Sequence, residues 1–153
     1  MIIRPAILAD IAAMRALEQQ ADITAHWSDR EYRAIFETGA PPRIALVADA
    51  SPGPFKVEGF LIARCALQEW ELENIVVAAG SRRQGVASAL LEELLRRAKA
   101  ERATSVLLEV RASNAAALKL YEKLHFLQDG RRANYYQHPT EDAILLRRRL
   151  SGM

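Results

Sequence analysis

Three polar residues in the second half of the chain have the types and spacing of an acid–base site. Glu109 lies near the end of the apolar run SVLLEV, Asn114 follows it, and Tyr121 comes seven residues after Asn114. Seven residues make about two turns of an α-helix, so Asn114 and Tyr121 would lie on roughly the same face. A carboxylate can accept a proton and a phenol can donate one. The three side chains could therefore converge on one reacting centre, if Glu109 ends a strand and Asn114 begins a helix.

Ordinary structural roles compete with this interpretation. An asparagine at the start of a helix is a preferred cap, and Asn114 by itself is predicted to be one. Tyr121 could be a core aromatic residue, and Glu109 could form an ion pair with an arginine such as Arg111. Alternation along the strand puts Glu109 on the same face as Leu107, so we expect the carboxylate in a partly buried setting. Only the combination of the three residues favours a site.

A basic loop precedes the strongest predicted helix. After a strand that ends at Val77 the chain runs AAGSRRQGVASALL, which puts Arg82 and Arg83 at the start of the helix. Positive side chains are unfavourable there against the helix dipole unless an anion lies among them. N–H groups of the first turn would bind the same anion, and Gly85 would let a phosphate approach the main chain. We expect a diphosphate ligand, although a plain basic turn is an equally good interpretation. The glycine spacing matches neither a Walker loop nor the dinucleotide fingerprint.

Apolar periodicity predicts the elements that would position these residues. Strands are predicted at residues 2–3, 43–48, 56–66, 70–77, 105–110, 126–136 and 143–150, and helices behind Asp10, behind Ser28, at 85–101 and at 114–124. A capping box of Ser28 and Glu31 would open the second helix, which Gly39, Pro41 and Pro42 would end, and Ser51–Pro54 is predicted to be a turn.

The element order β-α-α-β-β-β-α-β-α-β-β indicates a mixed α/β fold. We expect a single domain over residues 1–153, with a mixed sheet of about seven strands and helices on both faces.

Composition narrows the classes of function. Lys and Arg number 21 against 19 acidic residues, so the formal net charge of +2 gives no general case for binding nucleic acid or an anionic membrane. No run approaches the ~18 apolar residues of a membrane span, and we expect a soluble cytoplasmic protein. Cys65 is the single cysteine and cannot form an internal disulfide. His26, His125 and His138 lack the spacing of a metal site, so no metal is expected.

Taken together, the segments ENIVV, RRQGVA and LEVRASNAAALKLYEKLHF resemble the GNAT superfamily of acyl-CoA-dependent N-acetyltransferases. The superfamily pattern of Gln or Arg, two residues, Gly, one residue, and Gly or Ala is met by Arg82, Gly85 and Ala87. Within the superfamily, LEVRASNAAALKLYE, the later NYY and EDAILL resemble the bacterial ribosomal-protein-alanine N-acetyltransferases. His125 departs from the pattern, because family members usually have glycine before the phenylalanine.

The resemblance implies acetyl-CoA as co-substrate and assigns a role to each matching residue. Main-chain groups of Ile75, Val76 and Val77 would bind the pantetheine arm, and Asn114 would also contact CoA. Glu109 would be the general base and Tyr121 the general acid. The diphosphate would lie against the loop and first helical turn, which comprise Arg82, Arg83, Gln84, Gly85, Val86, Ala87 and Ser88. The resemblance also implies the acceptor, which would be the N-terminal amine of a small-subunit ribosomal protein that begins with alanine.

Two other functions stay open. One is a GNAT enzyme that acts on a protein lysine or a small-molecule amine, and the other is a non-catalytic acetyl-CoA-binding module. Glu69, Glu71 and Glu73 alternate along one strand and would line one face, where they could attract a cationic acceptor or simply face solvent. Glu71 is the substitute candidate for the base.

Overall fold

The computed structural model describes residues 1–21, 27–39, 42–50 and 56–150. His26, Pro41 and the turn predicted at Ser51–Pro54 lie outside the described residues. The strands are β1 (Ile2–Pro5), β2 (Arg43–Asp49), β3 (Val57–Ala66), β4 (Glu69–Val77), β5 (Ser105–Arg111), β6 (Leu127–Tyr136) and β7 (Glu141–Arg149). The α-helices are α1 (Ile11–Gln20), α2 (Asp29–Ala34), α3 (Val86–Ala100) and α4 (Ala115–Lys123), with short 3-10 helices at Leu8–Asp10 and Ala79–Ser81. The predicted order of strands and helices is confirmed.

The seven strands form one sheet in the order β1-β2-β3-β4-β5-β7-β6. Strands β4 and β5 pair in parallel, with Glu69 opposite Ser105 and Glu71 opposite Leu107. The pairs β1–β2, β2–β3, β5–β7 and β6–β7 are antiparallel. The sheet is therefore mixed, and the predicted fold class is confirmed.

Contacts between α-carbons divide the chain into two compact units. The first comprises Met1–Cys65 and Glu73–Leu94, and the second comprises Ala66–Leu72 and Leu95–Met153. Strand β4 and helix α3 each contribute residues to both units.

In the first unit, helices cover both faces of the strands. One face carries a buried cluster contributed by α1, α2 and strands β2, β3 and β4, which includes Met14, Tyr32, Val47, Phe60, Ile62 and Val76. The opposite face meets the start of α3, because a Cβ built on Gly59, the residue before Phe60, would lie 3.1 Å from a methyl group of Val86. Successive side chains of a strand point to opposite faces, so α1 and the start of α3 lie on different sides.

In the second unit, β5 carries an alternating pattern. Val106, Leu108 and Val110 are buried, whereas Glu109 is exposed. β5 pairs with β7 over its whole length, from Ser105 opposite Arg149 to Arg111 opposite Ala143. β6 is one of the two edge strands of the sheet and is exposed at most of its residues.

The structure corrects two predicted helix ends. The Ser28–Glu31 capping box is present, with Ser28 Oγ accepting from Glu31 N–H at 3.1 Å and Glu31 accepting from Ser28 N–H at 3.0 Å. However, α2 ends at Ala34 rather than near Gly39, because residues 35–37 donate to carbonyls three residues back and continue as turns. Asp10 directly precedes α1, but its carboxylate accepts from Ile7 N–H at 2.8 Å and so caps the short 3-10 helix instead.

Candidate functional site

The loop between the second 3-10 helix and α3 contains two residues with a left-handed backbone. Arg83 and Gly85 are both in the left-handed region, with φ of 63° and 81°. Left-handed residues in such loops turn neighbouring N–H groups toward one side, where an anion can bind. A Cβ added at Gly85 would meet no heavy atom within 4 Å, so the space beside this residue is open. Residues 82–85 are all exposed.

The start of α3 supplies further donors. Val86 is buried and fixes the helix in the first unit, and Gly85 accepts the N–H of Ala89 at 3.0 Å. The N–H groups of Val86, Ala87 and Ser88 belong to the first turn and have no acceptor within the helix. Together with the cationic side chains of the loop, these donors fit a diphosphate group.

The loop side chains differ in their contacts. Arg82 Nε donates to the carbonyl of Val77 at 3.4 Å, and Gln84 Nε2 donates to the carbonyl of Gly80 at 3.3 Å. Within the described ranges Arg83 has no ion-pair partner, so its charge faces solvent. The arrangement is compatible both with an anion-binding loop and with a plain basic turn, and anion binding here stays a prediction.

The last residues of β4 are held on both sides of Ile75–Val77. Before them, Arg43 donates to Glu73 at 2.6 and 3.1 Å, and the amide of Asn74 donates to Glu18 at 2.8 Å. After them, the N–H of Ala78 donates to the carbonyl of Glu58 at 2.7 Å. These contacts fix the main chain of Ile75–Val77.

Gly59 was not predicted to matter, yet it lies against this part of β4. A Cβ at Gly59 would lie 2.9 Å from the carbonyl oxygen of Val76, a distance that no real side chain tolerates. A glycine in the interior of a strand is the sequence signal for such a close approach of two backbones.

Glu109 lies on the face of β5 opposite the core residues, and its side chain is partly buried, as we expected. Its side chain is 32% exposed, because the alternate residues of β5 occupy the core and leave Glu109 on the other face. Its ion-pair partner is Arg132 of β6, with 3.6 Å between Arg132 Nη2 and Glu109 Oε1. The predicted partner Arg111 instead contacts Glu141 at 3.0 Å and lies 4.2 Å above the ring of Tyr136. The sheet register sets these pairs, and strand alternation alone could not predict them.

Two tyrosines of β6 interact with Glu109. The sequence analysis did not assign either of them to the site. Hydrogen bonding to Glu109 is the first cause that raises the pKa of Tyr135, and the charge of Glu109 is the second. The pKa of Tyr136 is raised mainly by burial and then by the charge of Glu109. Their sequence signal is the NYY segment, which precedes a turn between the last two strands.

Tyr121 is buried, with 5% exposure, and its ring packs against Phe126 with 5.7 Å between ring centres. Burial raises the pKa of Tyr121 to about 12, with a smaller contribution from Tyr136. Tyr136 therefore interacts with both Glu109 and Tyr121. The phenol of Tyr121 stays protonated at neutral pH, so it can act as a proton donor.

Asn114 is the N-cap of α4, as its type predicts. Its side-chain oxygen accepts the N–H of Ala117 at 3.1 Å. At the other end of α4, His125 has a φ of 66°. Glycine adopts this left-handed conformation without strain after a helix, and the histidine here holds it at a cost of about 1 kcal/mol or more.

Arginines neutralise two of the three carboxylates on β4. Glu69 pairs with Arg147, and Glu73 pairs with Arg43. Glu71 is exposed and has no ion-pair partner among the residues whose positions are described. Two of the three negative charges on this face of β4 are therefore balanced by arginines. Of the three carboxylates, Glu71 is the one that stays a candidate for the base.

Metal and membrane features give two plain findings. Over the described ranges, no group of three or more His, Cys, Asp or Glu residues could hold a metal ion. In the same part of the chain, none of the helices combines the length and the apolarity that crossing a bilayer requires.

Comparison with known proteins adds independent evidence. Residues 12–126 match the model of the acetyltransferase (GNAT) family. A curated [Ribosomal protein bS18]-alanine N-acetyltransferase of Escherichia coli K12 is 44% identical over 95 residues, which span 60% of this chain and 63% of the relative. The match to this curated relative therefore covers less than two thirds of its length.

Solved structures extend the likeness to nearly the whole chain. The crystal structure of the ribosomal-protein-S18-alanine N-acetyltransferase from Escherichia coli superposes with a TM-score of 0.82 and 33% identity, covering 98% of this chain and 94% of that one. Arabidopsis thaliana NAA60 in complex with acetyl-CoA gives a TM-score of 0.86 at 18% identity, covers 99% of both chains, and is evidence for the fold alone.

The family model covers well over half of the chain and includes β4, the loop before α3, β5 and α4. The chain belongs to the acetyltransferase (GNAT) family.

Proposed function

We propose that this protein transfers the acetyl group of acetyl-CoA to the N-terminal amine of an alanine, on a small-subunit ribosomal protein. The observation that carries the proposal is the 33% identity to the S18-alanine N-acetyltransferase structure across 94% of that chain. The anion-binding loop before α3 supports it, because its donors and charges suit the diphosphate of CoA.

The residues of the first unit would bind the co-substrate. Arg82, Arg83 and the N–H groups from Gln84 to Ser88 would hold the diphosphate, and the main chain of Ile75–Val77 would hold the pantetheine arm. Bound acetyl-CoA supplies an acetyl group activated as a thioester. Asn114 would contribute a further contact through its amide nitrogen, since its oxygen caps α4.

Glu109 would act as the general base. An N-terminal amine has a reference pKa near ~8, so much of it is protonated at neutral pH and a base must take up a proton, directly or through water. Exposure of Glu109 makes the carboxylate accessible to a proton from a peptide or from solvent. Glu71 is the alternative base.

Tyr121 would act as the general acid, and a main-chain N–H near Val77 would stabilise negative charge on the carbonyl oxygen. The high pKa of Tyr121 keeps its proton in place until the thiolate leaves. Because Tyr121 donates its proton at that moment, CoA leaves as a neutral thiol and not as a thiolate.

The proposal is tested by thiol release from acetyl-CoA. The acceptor is a peptide with the alanine-starting N-terminus of the ribosomal protein, compared with an N-terminally blocked copy. Glu109→Gln is compared with Glu101→Gln, which removes a charge from an exposed turn. We expect turnover that needs the free N-terminus, falls at least ~100-fold in Glu109→Gln and is unchanged in Glu101→Gln.

Each other outcome identifies a different function. Equal reaction of the blocked peptide would make the acceptor a lysine side chain. Reaction with small amines but not with either peptide would indicate a small-molecule acetyltransferase. Tight binding of acetyl-CoA without turnover on any amine would indicate a non-catalytic binding module, and full activity of Glu109→Gln would exclude Glu109 as the base and direct attention to Glu71.

A further inference from the structure

Helix α1, in the first unit, carries a buried carboxylate that the proposed function does not use. Glu18 of α1 is 1% exposed and lies beside an otherwise apolar cluster that includes Met14, Tyr32 and Val76. Burying a carboxylate is unfavourable, and well-packed apolar residues often stabilise such a position as well or better. The geometry around Glu18 therefore needs an explanation other than stability.

Glu18 joins two segments that are distant in sequence. One carboxylate oxygen accepts the N–H of Trp27 at 2.9 Å, at the start of the segment leading into α2. The other accepts the side-chain amide of Asn74 on β4 at 2.8 Å. The hydroxyl of Tyr32 is buried nearby without a hydrogen bond of normal geometry, and burial first and the Glu18 carboxylate second hold the pKa of that hydroxyl well above its usual value.

A second chain of contacts joins the same two segments. Arg43 pairs with Glu73, the residue before Asn74, and its guanidinium lies 5.4 Å from the ring centre of Trp27. Two consecutive residues of β4 are thus tied to Trp27, one through Glu18 and one through Arg43. Both ties lie immediately before Ile75–Val77, whose main chain the proposed function assigns to the thioester-bearing arm of acetyl-CoA.

We propose that Glu18 is a positioning residue for acetyl transfer: by accepting hydrogen bonds from Asn74 and Trp27, it fixes the end of β4 that orients the thioester. The inference rests on the proposed function. A misplacement of the reacting atoms by about 1 Å can reduce the rate about 100-fold. Glu18 can therefore affect turnover through the position of β4, without contacting the substrate itself.

The inference can be tested by exchanging the donor and the acceptor in the hydrogen bond between residues 18 and 74. Both partners of Glu18 are donors, so only a group with two acceptor oxygens satisfies both. Asn74→Asp keeps the shape but turns a second carboxylate oxygen toward Glu18, so two acceptors meet without a donor. Glu18→Gln in the same chain supplies an NH2 donor for that carboxylate, so the double variant Glu18→Gln/Asn74→Asp restores both hydrogen bonds with their direction reversed between residues 18 and 74.

The measurements are kcat and KM with acetyl-CoA and the alanine-starting peptide at 20 °C, the affinity for CoA by calorimetry, and folding by circular dichroism. We expect kcat to fall about tenfold or more in Asn74→Asp and to recover to within about threefold of the parent value in the double variant. The affinity for CoA should stay within about twofold, since the diphosphate loop is unchanged. Glu92→Gln, on the exposed side of α3, is the matched control and should leave all values unchanged.

The outcomes separate this inference from the proposed function. If the parent protein transfers acetyl groups and folded Asn74→Asp has the parent kcat with only a lower thermal midpoint, Glu18 is merely structural and the inference is wrong. Failure of the double variant to recover kcat would also overturn it. If Asn74→Asp does not fold, Asn74→Ala removes the same contact without adding a charge and is expected to lower kcat. Absence of turnover in the parent protein would instead contradict the proposed function.

Discussion

Burial keeps Tyr121 protonated and also makes its phenol a weaker acid. Its ring is packed against Phe126 and its pKa is raised to about 12, so the hydroxyl keeps its proton over the physiological range. Glu109 is in the opposite situation, since it is exposed on the face of β5 that meets Arg132. The proposed acid is therefore buried and protonated, whereas the proposed base is accessible to solvent.

The raised pKa of Tyr121 predicts a loss of stability in alkali. A phenol whose folded-state pKa lies above its unfolded value of about 10 stabilises the fold fully below pH 10, and this contribution is lost as the pH rises toward 12. Between pH 9 and 11 the free energy of unfolding should fall by about 1.3 kcal/mol more in the parent protein than in Tyr121→Phe.

Urea titrations of both proteins at pH 9, 10 and 11 measure this difference. Tyr32 also has a raised pKa, but it is present in both proteins and cancels. A difference between the two proteins that does not change with pH would show that Tyr121 ionises normally in the folded state.

Among the elements, the loop before α3 depends on one backbone conformation. Gly85 has a φ of 81° and open space around it, whereas Gly80, five residues earlier, has equal space and no left-handed φ. Comparing alanine variants at the two positions therefore distinguishes the effect of a left-handed backbone from the effect of steric space.

Gly85→Ala is expected to lower the free energy of unfolding by about 1 kcal/mol or more and to weaken CoA binding, because alanine is strained at this φ. Gly80→Ala should be neutral or stabilising by about 0.5 kcal/mol and should leave CoA binding unchanged. Urea denaturation and calorimetry with CoA measure both effects. Equal losses in the two variants would mean that the backbone of Gly85 has no special part in the loop.

At the scale of the whole molecule, a single domain over residues 1–153 stays a prediction. The chain divides into two compact units by its contacts, but β4 and α3 each run through both units. Unfolding one unit alone would therefore require a strand and a helix to break in their interiors. We expect the two units to unfold together.

Each unit contains its own fluorescent reporter. Trp27 belongs to the first unit and Trp70 to the second. In the single-tryptophan variants Trp70→Phe and Trp27→Phe, the urea transition followed by fluorescence should coincide with the transition followed by far-ultraviolet circular dichroism. A fluorescence transition that separates from the circular dichroism in either variant would reveal two domains.

The sequence by itself determined what depends on local interactions. Hydrophobic periodicity predicted the element order, the types of Ser28 and Asn114 predicted two helix caps that the structure contains, and the basic segment around Gly85 predicted the loop. These features succeed because caps, turns and amphipathic faces involve residues within a few positions of each other.

Only the tertiary structure decided which distant residues meet. Arg132 pairs with Glu109 whereas Arg111 pairs with Glu141, and Asn74 contacts a carboxylate 56 residues earlier in the chain. Sheet register and helix packing bring these groups together, and a shift of one residue in register would turn every side chain of a strand to the other face. The acid–base residues could therefore be proposed from the sequence, whereas their neighbours and the burial of each had to come from the fold.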